Sequence, residues 1–189
     1  LDKELKFSRY ENSFLWLKDA GVALPVYNVD APVIPLFASK RSNVFRLFSS
    51  DIGLLTSAYP AETKIELINK NGEVNNGAHF ENAVAQQLTA NGFEPYFCKK
   101  KNLGELDFVI EMSGKVVPIE VKSGRAYKSY KALNNFMSVS DYHIEKGYVF
   151  SVGNVEVDGT VIYLPIYMSY LLKEKRIERM IVDLDIEGL

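Results

Sequence analysis

The sequence predicts an α/β domain, a central mixed sheet flanked by helices in the order αβββαβ, with a small helical unit ahead of it. Three observations carry this. Residues 105–124 read ELDFVIEMSGKVVPIEVKSG, two runs rich in Val, Ile and Phe (Leu106–Glu111 and Val116–Val121) on either side of Ser113-Gly114, the pattern of a β-hairpin. Ahead of it, Gly77–Asn91 repeats Phe80, Val84 and Leu88 at the period of a helix that Gly92 stops. Behind it, Ala126–Val139 predicts a second helix packing Leu133, Phe136 and Met137 inward, before an apolar strand at Gly147–Ser151.

The hairpin is the informative stretch. With Ser113-Gly114 as the loop, Met112 pairs with Lys115, Asp107 falls opposite Glu120, and Glu105 opposite Lys122. An odd-length loop or a bulge would shift that register. Strand alternation puts Asp107, Glu120 and Lys122 on one face and Leu106, Phe108, Ile119 and Val121 on the other. Carboxylates directly opposite each other on a sheet repel. A hard divalent cation between them removes the conflict, since Mg²⁺ and Mn²⁺ take carboxylate and backbone oxygens. Lys122 then stands where an ammonium could orient a water or neutralise a phosphate. The plain alternative is an ordinary polar strand face, because Glu-X-Lys is a short motif.

An acid on one strand followed by Glu-X-Lys on the next resembles the PD-(D/E)XK nuclease superfamily, the restriction-endonuclease-like fold. The proline of that pattern is replaced here by Leu106. The resemblance implies Asp107, Glu120, Lys122 and Glu81 as catalytic residues. It implies Asp107, Glu120, Glu81 and the Val121 carbonyl as ligands of Mg²⁺ or Mn²⁺. Glu81 enters because the first core helix of that fold supplies an acid; its alternative is a solvated helix glutamate. His79 reads as a partly buried first-turn residue, and His143 as a loop residue without a role.

The other elements come in order. Tyr10–Ala20 places Phe14, Leu15, Trp16 and Leu17 around a helix ended by Gly21. Val22–Val29 reads as a strand, Pro25, Pro32 and Pro35 break the next stretch into turns and edge segments, and Phe45–Phe48 is a short strand. Asp51–Leu55 starts a helix capped by Ser50 or Asp51. Helix, short strands and helix suggest a winged-helix-like unit over 1–66, and the polar stretch Glu62–Asn76 separates it from a nuclease-like domain over 67–189. Pro95–Cys98 is the first core strand and Val161–Leu164 a fifth. Pro165 opens a helix at IYMSYLLKEK. The tail Arg176–Leu189 is either a last strand or loose.

WLKDAG at Trp16–Gly21, FRLFSSDIGLL at Phe45–Leu55, GAHFENAVAQQL at Gly77–Leu88 and ELDFVI…PIEVKSG fall in the order of one family. The chain resembles the C-terminal region of bacterial and archaeal AAA-type ATPases, a region catalogued as a domain of unknown function. The resemblance implies a P-loop ATPase domain ahead of this region as a partner. The start at Leu1 rather than Met, and the lack of a GxxxxGK[ST] motif, fit a fragment with no ATP site in this chain.

Composition narrows the function classes. The apolar share of 47% and charged share of 24% are those of an ordinary globular protein. Net charge is −2, so attraction to nucleic acid must come from a local patch. Between Cys98 and Lys131 there are eight Lys or Arg against four Asp or Glu. Lys99, Lys100, Lys101, Arg125, Lys128 and Lys131 are the candidate phosphate contacts, with Tyr127 and Tyr130 near enough to stack on bases. A solvated basic face is the alternative. A single cysteine, Cys98, excludes an internal disulfide and fits a reducing cytoplasmic location. No apolar run is long enough to span a membrane, and no signal-peptide pattern is present, so no membrane partner is expected.

The expected function is a metal-dependent nuclease-like domain acting on DNA or another nucleic acid, attached to an ATPase motor. The alternative is a catalytically silent nuclease fold that binds DNA or a protein partner and regulates the ATPase. Self-association into a homo-oligomer is a further partner class. A plain oligomerisation domain would leave the acid–acid–lysine face without a reason.

Overall fold

A computed structural model describes residues 13–69, 76–124 and 127–174. In chain order these form helix α1 (13–19), strands β1 (Ala23–Val29) and β2 (Lys40–Ser49), helices α2 (Ile52–Ser57), α3 (Ala61–Asn69) and α4 (Gly77–Ala90), and strands β3 (Tyr96–Lys100), β4 (Gly104–Met112) and β5 (Lys115–Val121). Helix α5 (Lys131–Met137) and strands β6 (Gly147–Ser151), β7 (Glu156–Asp158) and β8 (Val161–Pro165) complete the order. A 3₁₀ segment, Ile166–Leu171, stands where the sequence predicts an α-helix.

All the described strands join one mixed sheet in the order β2-β1-β3-β4-β5-β6-β8-β7. The hairpin forms at its centre in the predicted register, from Met112–Lys115 to Phe108–Ile119. Its turn has φ of 54° at Ser113 and 72° at Gly114. Positive φ at both central residues is the twist-matched type that two-residue hairpins prefer, and glycine meets it without strain.

Helix α4 lies on one face, burying Val84, Ala85 and Leu88 against Phe108, Ile110, Ile119 and Phe150. Helix α5 lies on the other, with Leu133 and Phe136 against Leu106, Val109, Val149 and Tyr163. Each helix supplies one apolar stripe, so the sheet is covered on both sides and its central strands are apolar on both faces. The order α4, β3, β4, β5, α5, β6 is the predicted αβββαβ.

Three expectations change. Alternation puts Leu106 and Phe108 on one face, but Leu106 packs with the α5 cluster and Phe108 with the α4 cluster. The cause is a bulge. Tyr96 pairs with Val109 and Cys98 with Leu106, so β4 advances three residues while β3 advances two. The polar stretch after Glu62, read as a boundary, opens on a helix, α3. Helix α5 starts at Lys131, five residues later than the apolar spacing indicates.

The segment ahead of α4 is tied in through its strands. β1 pairs antiparallel with β2 and parallel with β3, so the two strands expected in a winged-helix-like unit extend the same sheet. The end of β2 is fastened to α4 by Asn82, 2% exposed, whose side chain accepts the Ser49 N–H at 2.7 Å and donates to the Ser49 carbonyl at 3.0 Å. Asn82→Ala leaves two backbone groups without these partners. It should lower the unfolding free energy by about 2 kcal/mol in urea titration. A loss below about 0.5 kcal/mol would show that water replaces the amide.

Candidate functional site

β4 and β5 part company just beyond the Phe108–Ile119 pair, at the end of the sheet towards which Glu120 and Lys122 run. The bulge frees Asp107 from the regular ladder at this point. Its Oδ2 accepts the Val121 N–H at 2.8 Å, so a side chain takes the place of a backbone acceptor. Glu120 is nearly enclosed, with 7% of its side chain exposed, and its Oε1 accepts from Lys122 Nζ at 2.6 Å. Its Oε2 is buried without a hydrogen-bond partner. Glu81 reaches the same region from α4, and its charge, that of Asp107 and that of Glu120 act on one another.

Their protonation reflects this crowding. Burial, then the neighbouring Asp107 charge, pushes Glu120 up to about 7, against the pull of Lys122. Burial raises Asp107 as well, opposed by the Val121 N–H and by Arg46 and Lys122. Glu81 moves the same way, through burial and the charge of Asp107. Three carboxyls shifted upward together mark a place where negative charge is undersupplied with partners.

One residue of the cluster has no counterpart in the sequence reading. Arg46, from β2, sends its guanidinium over the Phe97 ring at 4.8 Å and into the acids. It contacts Glu105 directly through Nη2, and its Nη1 lies 3.8 Å from Glu81 and 4.0 Å from Asp107. Glu105, expected opposite Lys122, instead bridges Arg46 and Lys99, whose Nζ is 2.6 Å away. The FRLFSSDIGLL motif contains Arg46, but nothing local to it assigns the arginine to the acids. The available signal is indirect, since acids gathered at one sheet end need a cation from somewhere.

Glu81, Asp107, Glu120 and Lys122 are therefore brought together. The amide of Val121 anchors Asp107. Among the described residues, no three His, Cys, Asp or Glu side chains converge on one ion-sized point. The donor set suits a hard divalent ion nonetheless. It is all oxygen, and Glu120 holds a buried, unpaired oxygen that such an ion would satisfy.

Residues 76–168 match the family described as Domain of unknown function (DUF4143). That stretch holds α4, the hairpin and α5, and with them Glu81, Asp107, Glu120 and Lys122; Arg46 lies outside it. No curated protein and no solved structure matches the chain.

The basic residues divide. Lys99 is paired with Glu105 at the site, and Lys100 and Lys101 continue from it into the β3–β4 turn. Lys128 is paired with Glu156 at 2.6 Å, against β7, and Lys131 is exposed at the start of α5. Arg125 lies outside the described residues, as does the tail from Arg176. Tyr127 and Tyr130 pack edge-on against Tyr163, and the Tyr163 and Tyr130 hydroxyls are hydrogen-bonded, so both rings serve the core beside α5. His79 stacks edge-on against Tyr59 at 5.0 Å. Cys98 is buried and its thiol is pushed up to about 11 by burial, as befits a core residue. No helix among the described residues is long and apolar enough to cross a membrane.

Proposed function

We propose that the α4–β6 core is a metal-dependent nuclease domain of the PD-(D/E)XK type, acting on nucleic-acid phosphodiesters. We further propose that it belongs to the C-terminal part of an AAA-type ATPase. One observation carries the nuclease reading. Asp107, Glu120 and Lys122 lie where the bulged β4 leaves β5, Glu81 approaches from α4 closely enough for its charge to act on theirs, and Glu120, the least exposed of the three acids, keeps an unpaired oxygen. Structural packing alone gives no reason to bury Glu120 there.

Asp107, Glu120, Glu81 and the Val121 carbonyl would hold Mg²⁺ or Mn²⁺. Such an ion, when bound, acidifies water and stabilises charge on a phosphate. The Val121 N–H fixes one oxygen of Asp107 and so orients the other towards the cluster. Glu120 holds the Lys122 ammonium at the same place, where it aligns a water or a phosphate oxygen by charge. Water adds to phosphorus, the P–O ester bond breaks, and the products are a phosphate monoester and a free hydroxyl. Lys99, Lys100 and Lys101, beside the cluster, supply sequence-independent contacts to the backbone phosphates. The four sequence motifs in order support the ATPase context, and the DUF4143 match spans the last two.

The test is cleavage of plasmid DNA, single-stranded DNA and RNA by the purified chain with Mn²⁺, with a chelator as control. Cleavage should require the ion and fall about 100-fold in Lys122→Ala, the usual scale for one lost charge-stabilising group. Mn²⁺ binding with no cleavage of any substrate, also in the presence of the ATPase domain and ATP, would favour the regulatory reading instead.

A further inference from the structure

We propose that Arg46 is a resident counter-ion of the acid cluster, occupying it in the absence of metal and exchanging with a divalent cation. This rests on the nuclease reading above and adds a regulatory residue to that site, supplied by the segment ahead of the DUF4143 match.

The geometry is that of a cation held firmly on one side and loosely on the other. Glu105 grips Nη2, and the Phe97 ring supports the guanidinium plane. Towards the site, Nη1 stops 3.8 Å from Glu81 and 4.0 Å from Asp107, within ion-pair range but beyond hydrogen-bond reach, and is buried without a hydrogen bond. Glu120 Oε2 is likewise buried and unpartnered in the same cluster. A buried guanidinium N–H and a buried carboxyl oxygen in one cluster, each without a hydrogen bond, mark a place that a further ion could rearrange. An ion among the acids would satisfy Glu120 and repel Arg46, which keeps its hold on Glu105 as Nη1 moves away from Glu81 and Asp107. Asn82 and the β1–β3 pairing hold β2 where Arg46 can reach, so the hold of the N-terminal segment on α4 sets the site's charge.

The exchange predicts opposite effects on affinity and on metal-free stability. By calorimetric titration with MnCl₂ at low salt, Arg46→Gln should bind Mn²⁺ at least about tenfold more tightly than the unaltered chain, since a like charge about 4 Å from two ligands opposes the ion. Its thermal midpoint without metal should fall, and saturating Mn²⁺ should restore most of the loss. Tightened binding supports the exchange. Unchanged or weaker Mn²⁺ binding by folded Arg46→Gln, with binding by the unaltered chain intact, overturns the exchange and leaves the nuclease reading standing. No binding by either protein overturns both. Should Arg46→Gln fail to fold, the side-chain Nε–H resonance of Arg46 in the unaltered chain, assigned by its loss in Arg46→Lys, decides the matter. A shift on adding Mg²⁺ supports the exchange, and a resonance unmoved at saturating Mg²⁺ refutes it.

Discussion

Asp107→Asn is expected to reduce metal-dependent cleavage by at least about 10³-fold, because several kcal/mol of charge stabilisation goes with the ligand. Mn²⁺ affinity should fall more than about tenfold in the same protein. Metal-free stability should not fall with it. The asparagine carbonyl still accepts the Val121 N–H that Asp107 accepts at 2.8 Å, and one of three mutually repelling charges is gone. The thermal midpoint without metal should therefore hold or rise. Asp107→Ala provides the contrast. It removes the acceptor as well and should cost about 1–3 kcal/mol by leaving the Val121 N–H unpaired. Activity lost equally in both, with stability lost only in the alanine variant, separates the ligand role from the anchoring role. Full activity in Asp107→Asn would remove the nuclease proposal.

How much of this arrangement is legible in the chain depends on how local each part is. The hairpin is legible because its turn residues and its apolar alternation agree, and Ser113-Gly114 fixes the register of five pairs. α4 is legible because Phe80, Val84 and Leu88 are one turn apart and Gly92, at φ 90°, ends it. The bulge is not. It extends β4 at Asp107–Phe108 with no glycine to announce it, and only the pairing with β3 imposes it. Arg46 is beyond reach for a stronger reason. Its place depends on β1 pairing with both β2 and β3, contacts across tens of residues that no periodicity encodes. The acids are found by a local rule, repulsion across a hairpin; their counter-ion answers to a non-local one. Tyr127 and Tyr130 show the converse. Their spacing suits either stacking on bases or packing, and Tyr163 on distant β8 decides for packing.

Metal-free stability is expected to fall as pH rises from about 4.5 to about 7, the reverse of the usual behaviour of a carboxylate in a salt bridge. Glu120 has its carboxyl raised to about 7 in the fold, from an ordinary value of 4.5. Below 4.5 both folded and unfolded chains bind the proton, and the group has no effect on the pH slope. Between the two values only the folded chain binds it, so each rise in pH favours unfolding. Above 7 both forms are ionised and the slope vanishes. The loss across the window is about 3 kcal/mol if Glu120 acts alone. For a chain of this size that is about 6–12 °C in the thermal midpoint, at about 2–4 °C per kcal/mol. Asp107 and Glu81 are raised as well and act in the same direction. Glu120→Gln removes the main titrating group while keeping an oxygen for Lys122 to donate to. Its midpoint should vary much less between pH 5 and 8 and exceed that of the unaltered chain at pH 8. Saturating Mg²⁺ or Mn²⁺ should flatten the profile of the unaltered chain by stabilising the ionised acids, and should have little effect on Glu120→Gln. Parallel profiles for the two proteins without metal would mean that Glu120 is already ionised and partnered at neutral pH. The buried, unpaired oxygen on which the metal reading rests would then not exist.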